Sequence, residues 1–317
     1  MRLHLTRAVI ACACLCGLQT GARASGTCTF AGSIATLYVN LNGGPTVLSV
    51  DSAGTILLDS VPCGIATTAN TDLINVTGNY SVADTLTLDK PGRFAPGLTP
   101  EATGKSEVEV NITLDGDAKD KLVVRLTGAA ETFEIDEVGY NTDAINTRGD
   151  SDFDITVHHT DNATYKILGL GGDDTISVYS GVLTDVYGGA GNDIINGNYW
   201  GHVLSGGSGN DEIYGGDTSN TLDGGPGDDF LVGAGGRDTL IGGDGADILD
   251  AGPGKDKLYG DDGNDTLDGG SELDVFDGGY GDDVIHNADG IAETVDCSDG
   301  IDDAEPDPVD TFIACEL

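Results

Sequence analysis

The chain has 317 residues, of which 54 are acidic and 14 are basic, so its formal net charge is −40 with histidine neutral. Glycine supplies 50 residues, more than twice its usual share of about 7%. This charge excludes nucleic acid and anionic membrane surfaces as partners, because both would repel the chain. The hydrophobic content of 38% can build a core, although a thin and extended one.

The first 24 residues have the three parts of a secretory signal peptide. Arg2 and Arg7 precede an apolar stretch over residues 8–18, and residues 22–24 (ARA) fit the small-x-small cleavage rule. The apolar stretch is shorter than the roughly 20 residues that a membrane span needs. We predict cleavage after Ala24 and a secreted, extracellular protein that is not inserted into a membrane. A lipoprotein signal ending at Cys12 or Cys16 is the alternative.

Four cysteines remain after this cleavage, and they form one sequence-local pair at each end of the mature chain. An even number of cysteines in an exported protein suggests disulfides. We therefore predict the bonds Cys28–Cys63 and Cys297–Cys315, each contributing about 3–4 kcal/mol on the chain-entropy model. Unpaired or metal-bound thiols are the alternative, but neither pair has the close spacing of zinc ligands.

An internal repeat of nine residues occupies the second half of the chain. Residues 206–286 divide into nine consecutive nonapeptides without insertion, and the pattern is G-G-x-G-x-D-x-U-x, where U is large and apolar. Upstream, residues 188–196 are a clear copy, residues 197–205 are a degraded copy, and residues 169–177 are a copy displaced by one residue. Glycines at positions one, two and four permit a tight turn with positive φ, and the apolar residue at position eight is expected to point inside.

This pattern resembles the calcium-binding nonapeptide repeats of the RTX (hemolysin-type) proteins over residues 169–286. The resemblance implies a right-handed parallel β-roll in which two nonapeptides complete a coil of 18 residues. We predict an all-β protein: this β-roll (a β-solenoid), an irregular β-rich N-terminal region, and a disulfide-bonded cap at each end.

The aspartate at position six points to a bound metal. Residues 18 apart stack on one edge of the roll, and stacked carboxylates about 5 Å apart repel each other by nearly 1 kcal/mol per pair even in water. A divalent cation between successive turns would reverse that interaction, and oxygen ligands without a histidine or cysteine cluster favour Ca²⁺. The alternative is that these aspartates are only solvating turn residues. We predict about seven or eight Ca²⁺ ions, with the metal ligands Asp174, Asp193, Asp211, Asp229, Asp238, Asp247, Asp256, Asp265, Asp274 and Asp283.

Three departures from this pattern bear on the metal sites. His202 and Asn220 stand at position six of one edge, where we expect a weak or empty site. Glu272 replaces the fourth glycine of its nonapeptide, so we expect the site at Asp274 to be distorted. The repeat over residues 169–286 holds 24 acidic and three basic residues, and such a charge needs counterions before it can compact.

The flanking regions also have strand periodicity, as the alternation of apolar and polar residues over 107–114 illustrates. For residues 65–168 we predict irregular solenoid-like coils, and a separate small β-sandwich is the alternative. A frayed acidic tail is the alternative for the C-terminal cap. The predicted domains are the signal peptide 1–24, an N-terminal β cap 25–64, the solenoid-like region 65–168, the calcium-binding roll 169–286 and the acidic C-terminal cap 287–317.

A search for catalytic motifs finds none. The sequence contains no H-E-x-x-H and no G-x-S-x-G, and His158 and His159 are adjacent in a predicted strand, so they face opposite sides. We therefore predict no catalytic residue and no cofactor besides Ca²⁺. The predicted function is an exported, non-enzymatic calcium-binding structural protein with a surface, matrix or adhesion role, whose partner the sequence does not identify. A secreted polysaccharide-acting lyase, epimerase or hydrolase, with its active site in residues 65–168, is the alternative.

Overall fold

The computed structural model describes part of the chain. The predicted signal peptide and its cleavage site lie outside that part. The described residues are 26–31, 36–41, 44–50, 55–67, 73–77, 84–89, 109–114, 121–125, 132–139, 142–146, 155–159, 164–197, 202–287, 290–300, 302–304, 311–313 and 315.

All regular structure in these residues is β-strand, as the sequence predicts, and they contain no helix. It follows that no helix within these ranges could cross a membrane. The strands are β1 Gly26–Ala31, β2 Thr36–Leu41, β3 Gly44–Val50, β4 Thr55–Leu58, β5 Val61–Thr67, β6 Leu73–Thr77, β7 Asp84–Asp89, β8 Glu109–Leu114, β9 Lys121–Arg125, β10 Thr132–Gly139, β11 Thr142–Asn146, β12 Ile155–His159, β13 Thr164–Leu168, β14 Thr175–Tyr179, β15 Leu183–Ala190, β16 Ile194–Asn196, β17 Val203–Ser208, β18 Glu212–Gly216, β19 Thr221–Pro226, β20 Phe230–Ala234, β21 Thr239–Asp244, β22 Ile248–Asp250, β23 Lys257–Asp262, β24 Thr266–Asp268, β25 Val275–Tyr280, β26 Val284–His286, β27 Thr294–Asp296, β28 Asp303–Ala304 and β29 Thr311–Ile313.

The chain divides into two compact units. The first comprises Met1–Val124, Gly139–Ile145 and Asp150–Ala163, and the second comprises Arg125–Val138, Asn146–Gly149 and Thr164–Leu317. The domain boundaries given by the sequence remain predictions.

In the first unit the chain alternates between two sheets. One sheet has the order β1-β2-β6-β8-β12-β11, and the other has the order β9-β7-β3-β4-β5. The pairs β2–β6, β6–β8, β8–β12 and β3–β7 are parallel, whereas β1–β2, β11–β12, β3–β4 and β4–β5 are antiparallel. Parallel pairing with strands taken alternately from two sheets is the pattern of a solenoid, and the antiparallel pairs make this part irregular, as predicted.

A disulfide between Cys28 and Cys63 joins the two sheets of the first unit, and it confirms the predicted pairing. Cys28 lies on β1 and Cys63 on β5, and their Cα atoms are 5.7 Å apart. Because β1 and β5 are the terminal strands of their sheets, the bond ties the sheets together at one end.

The second unit contains a parallel β-solenoid of about eight turns. Its two sheets have the orders β10-β14-β16-β18-β20-β22-β24-β26-β28 and β29-β27-β25-β23-β21-β19-β17-β15-β13. Ile213 pairs with Leu231, and Leu222 pairs with Leu240. Each coil of the repeat therefore has 18 residues, in agreement with the predicted roll.

The core of the roll is a double column of the apolar residues at position eight. The pleat of a strand places alternate residues on opposite faces, so position eight points inside while positions seven and nine point outside. The buried columns are Ile176, Ile195, Ile213, Leu231, Leu249, Leu267 and Ile285 in one sheet and Ile167, Val186, Leu204, Leu222, Leu240, Leu258, Phe276 and Val295 in the other.

The last turn of the roll is closed by a disulfide between Cys297 and Cys315, which confirms the second predicted pair. Their Cα atoms are 5.0 Å apart although 18 residues separate them in sequence. The backbone N–H of Cys297 also donates to the carbonyl oxygen of Ile313 in the next strand. The bond therefore ties the terminal strand β29 of this sheet to its neighbour β27.

Candidate metal centre

A ladder of buried aspartates runs along the first edge of the roll. In each coil the backbone N–H of the aspartate donates to Oδ1 of the aspartate in the following coil, over 2.7–3.0 Å. Each of these side chains is at most 3% exposed. The ladder consists of Asp174, Asp193, Asp211, Asp229, Asp247, Asp265, Asp283 and Asp302.

The second edge carries a ladder of mixed composition. Asp238 donates its backbone N–H to Asp256 Oδ1 at 2.7 Å, and Asp256 donates to Asp274 Oδ1 at 2.8 Å. Asp274 keeps this position although Glu272 adopts a φ of 82° at a glycine position. Upstream, the neutral Asn220 and His202 continue the ladder: the backbone N–H of His202 donates to Asn220 Oδ1 at 2.9 Å, and the backbone N–H of Asn220 donates to Asp238 Oδ1 at 2.7 Å.

The second oxygen of each carboxylate has a different environment. Among the described residues, no hydrogen-bond partner reaches Oδ2 of Asp193, Asp211, Asp229, Asp238, Asp247, Asp256, Asp265, Asp283 or Asp302, although these atoms are buried. A buried carboxylate oxygen without a partner is costly. The first edge therefore presents a row of buried oxygens that lack a counter-charge.

Except at Asp256 and Asp302, these oxygens face the glycine at position one of the same nonapeptide. A Cβ atom added to Gly242 would lie 2.5 Å from Asp247 Oδ2 and 2.8 Å from the carbonyl oxygen of Gly260, one coil further along. A carboxylate oxygen from one coil and a carbonyl oxygen from the next thus converge beside a glycine that leaves room for them. The same arrangement recurs at Gly224, beside Asp229 Oδ2 and the Gly242 carbonyl.

The chain contains a natural substitution at this glycine position. Ala251 occupies position one of its nonapeptide and is fully buried. The carboxylate of Asp256 lies instead against Gly254, where an added Cβ would be 2.5 Å from Oδ1 and 2.6 Å from Oδ2. Oδ1 of Asp256 still accepts the backbone N–H of Asp238 at 2.7 Å, so the ladder continues through the coil that has alanine at position one.

The carboxyl groups of the ladder hold protons more tightly than ordinary aspartates do. Burial raises the pKa of Asp211, Asp229 and Asp247 to about 6, and it raises the pKa of Asp238 and Asp265 to about 7. The N–H donated from the neighbouring coil lowers these pKa values, and the neighbouring carboxylates raise them further. Without a cation, the edge is therefore unfavourable in its charged form.

The oxygens that converge here suit a hard divalent cation. Calcium takes six to eight oxygen ligands, and backbone carbonyls are among its usual donors. In the described part of the chain, no group of three or more histidine, cysteine, aspartate or glutamate side chains is placed to hold a metal. A cation on these edges would therefore depend on backbone carbonyls as well as on the Oδ2 atoms.

The position-six spacing of the nonapeptides does not predict two features of the edges: the place of Asp302 and a ladder at position five. Asp302 continues the first edge and accepts the N–H of Asp283, but it lies 19 residues further along, so a strict 18-residue spacing misses it. The residues at position five of the first edge form a separate ladder, which is exposed. In it, the backbone N–H of each residue donates to a side-chain Oδ1 one coil earlier. The acceptors of this separate ladder are Asp173, Asn192, Asn210, Asp228 and Asn264.

These features define a β-roll whose coils are joined at their edges by stacked aspartate turns. A family model of the RTX calcium-binding nonapeptide repeat (four copies) matches residues 185–198, 203–231, 223–258, 232–267, 241–274 and 259–291. The chain thus carries RTX calcium-binding repeats, as the sequence pattern predicts, and the β-roll is a calcium-binding fold. The search of curated proteins found no match.

We expect Gly242→Ala to weaken calcium binding on the first edge. The added Cβ would lie 2.5 Å from Asp247 Oδ2, so the carboxylate should be displaced from this place. Calcium titration followed by calorimetry should give a midpoint raised several-fold, by about 1 kcal/mol per affected site. Gly235→Ala is the matched control, because its Cβ would meet no atom closer than 3.8 Å. Equal midpoints for the two variants would contradict this geometry.

Proposed function

We propose that this protein is an exported calcium-binding structural protein whose β-roll folds when several Ca²⁺ ions bind between its stacked turns. The observation that carries this proposal is the row of buried Oδ2 atoms on the first edge from Asp193 to Asp283, each beside a position-one glycine. In the metal-free chain these carboxylates repel one another across the coils. When bound, calcium supplies the positive charge that the edge lacks, so binding and folding become one event.

The proposed ligands are the position-six aspartates. Their Oδ1 atoms connect one coil to the next by hydrogen bonds, and their Oδ2 atoms are directed toward the cation. We keep the count of about seven or eight ions, with Asp302 as a further ligand at the C-terminal end of the first edge. On the second edge, His202 and Asn220 stand at position six in place of a carboxylate, so we propose that these two coils are held there by hydrogen bonds without calcium.

Export and a structural role belong to the same proposal. Proteins with these repeats are typically secreted, and extracellular modules bind calcium with dissociation constants of about 10⁻⁴–10⁻³ M. Two disulfides also suit an oxidising compartment. We propose a surface, matrix or adhesion role outside the cell. The enzymatic alternative places an active site in residues 65–168, where most side chains lie outside the described part.

The proposal is tested by the double variant Asp229→Asn and Asp247→Asn. Asparagine keeps an oxygen that can accept the ladder N–H, but it removes the charge that faces the cation. We expect a several-fold higher calcium midpoint for folding, measured by circular dichroism and calorimetry, and fewer bound ions by mass spectrometry under native conditions.

The matched control is Asp250→Asn with Asp268→Asn, which removes the same amount of charge. These two residues are exposed and pair with each other between strands β22 and β24. This control should shift the midpoint little, because solvent screens exposed charges. If the two double variants shift the midpoint equally, the carboxylates act only through net charge and the ligand assignment is wrong.

A further inference from the structure

Three of the few basic residues of the roll are gathered in one place. Residues 169–317 contain three basic side chains, Arg237, Lys255 and Lys257, in a stretch rich in acidic residues. All three line the same surface pocket, together with Ser219, Asp238 and Thr239. Basic side chains scattered at random over the acidic surface of the roll would not be expected to share one pocket.

The coil geometry explains how the three charges meet. Arg237 and Lys255 both stand at position five of the second edge, one coil apart, and each is exposed. Lys257 lies on β23, in register with Thr239 on the neighbouring strand. On the first edge, position five carries the asparagine and aspartate ladder instead. The two edges of the roll therefore differ in charge at the same position of the repeat.

The pocket can admit a small molecule. Its volume is about 320 Å³, at the lower end of the range of about 300–1,000 Å³ that is usual for small-molecule sites. Three cations in one pocket repel one another unless an anion joins them. Burial raises the pKa of the neighbouring Asp256, and the guanidinium of Arg237 offsets only part of that rise.

We propose that this pocket is an oxyanion-binding site, which takes the carboxylate, sulfate or phosphate group of a small ligand. The planar guanidinium of Arg237 can donate two parallel hydrogen bonds to such a group, and Lys255 and Lys257 add point charges. The Oγ atom of Ser219 accepts the backbone N–H of Arg237 at 3.1 Å. Its hydroxyl hydrogen therefore remains available to donate to the anion.

The one acidic residue of the pocket does not oppose this assignment. Asp238 is 2% exposed, and its Oδ1 accepts the backbone N–H of Asn220 at 2.7 Å inside the roll. Its Oδ2 faces Gly233, 2.8 Å from the place of an added Cβ. Both oxygens are thus directed into the roll, whereas the three cations are exposed at the surface.

The test uses the full-length protein with saturating calcium and four ligands that share one sugar body. Glucuronate presents a carboxylate, glucose 6-sulfate a sulfate and glucose 6-phosphate a phosphate, and glucose itself is neutral. We expect saturable binding of at least one charged ligand by isothermal titration calorimetry, and no binding of glucose. The order of the three affinities identifies which oxyanion the pocket prefers.

The variants separate the pocket from general electrostatics. Lys255→Gln with Lys257→Gln should weaken the binding of the charged ligand by about tenfold or more, since a hydrogen bond to a charged group contributes roughly 1.5–3 kcal/mol. Lys166→Gln is the control, because Lys166 lies over the ring of Tyr187 at 3.9 Å and is not among the pocket residues. It should leave the affinity unchanged.

Circular dichroism in calcium shows that each variant is folded before its binding is measured. If the folded wild-type roll binds none of the three charged ligands, or if Lys166→Gln weakens binding as much as the pocket variant does, the oxyanion site is refuted. The calcium proposal would stand in either case, because it is tested by the aspartate variants.

Discussion

Removing calcium from the full-length protein with EDTA near neutral pH should unfold the β-roll and abolish the far-UV circular dichroism signal of its sheets. Adding calcium back in excess should restore the signal in one cooperative transition at about 10⁻⁴–10⁻³ M. Magnesium should not restore it at the same concentration, because Mg²⁺ demands a tighter octahedral site and gives up water reluctantly.

Two features of the structure make this effect large. The core is only two columns of side chains thick, so the roll buries little apolar surface per residue to offset the entropy of an extended coil. The first edge also stacks six aspartates at successive coils from Asp193 to Asp283, and each is at most 2% exposed. Coulomb repulsion between such neighbours exceeds its value in water, because the buried edge has a lower effective dielectric constant.

The location of the change can be measured together with its size. Hydrogen exchange read out by mass spectrometry should show that EDTA removes protection from strands β14 to β28, which lie along the aspartate ladders. An unchanged spectrum and unchanged protection in EDTA would show that hydrogen bonds and the core suffice without metal, and coupled folding would then be wrong.

The repeat made the fold of the roll predictable, but the sequence did not predict the strand pairing outside the repeat. A fixed period of nine residues determines which residues pair between strands, which point into the core and which lie on an edge. The buried columns at position eight and the stacking of Asp211 on Asp229 therefore follow from the spacing alone. The cysteine pair 297–315 is separated by one coil length, and the structure confirms its bond. In residues 26–125 no period exists, so alternation predicts strands there but does not predict which strand pairs with which.

The details that escaped prediction are those that depend on neighbours in space. Asp302 joins the first edge only because one extra residue is accommodated between coils. The close approach of the Asp256 carboxylate to Gly254 is likewise visible only in the folded coil. Arg237, Lys255 and Lys257 are unremarkable in sequence, and their meeting in one pocket is visible only once the coils are stacked.

Acid should partly replace calcium in stabilising the metal-free roll. The pKa values of the ladder carboxyls lie at about 6 to 7 in the folded roll, against about 3.9 in an unfolded chain. Between these values the folded state binds more protons than the unfolded state does, so the free energy of unfolding falls as the pH rises. The stabilisation is complete below about pH 4 and is lost as the pH passes through 6 to 7.

In EDTA we therefore expect a compact, sheet-containing roll at about pH 5 and an unfolded one at about pH 8. The lower value stays above the isoelectric point near 4.1, so the protein keeps a negative charge that favours solubility. Calcium should show the opposite dependence, because protons compete with it for the same oxygens. Its midpoint, followed by circular dichroism, should rise as the pH falls from 8 to 6.

The variant Asp229→Asn with Asp247→Asn distinguishes the ladder from the overall charge of the chain. Its two neutral side chains no longer titrate, so the metal-free roll should gain less stability between pH 8 and pH 5 than the wild type does, as measured by urea unfolding. The control with Asp250→Asn and Asp268→Asn should keep more of the wild-type gain, because both residues are exposed. A wild-type roll that is equally unfolded in EDTA at both pH values would show that repulsion along the aspartate edges does not keep the roll open.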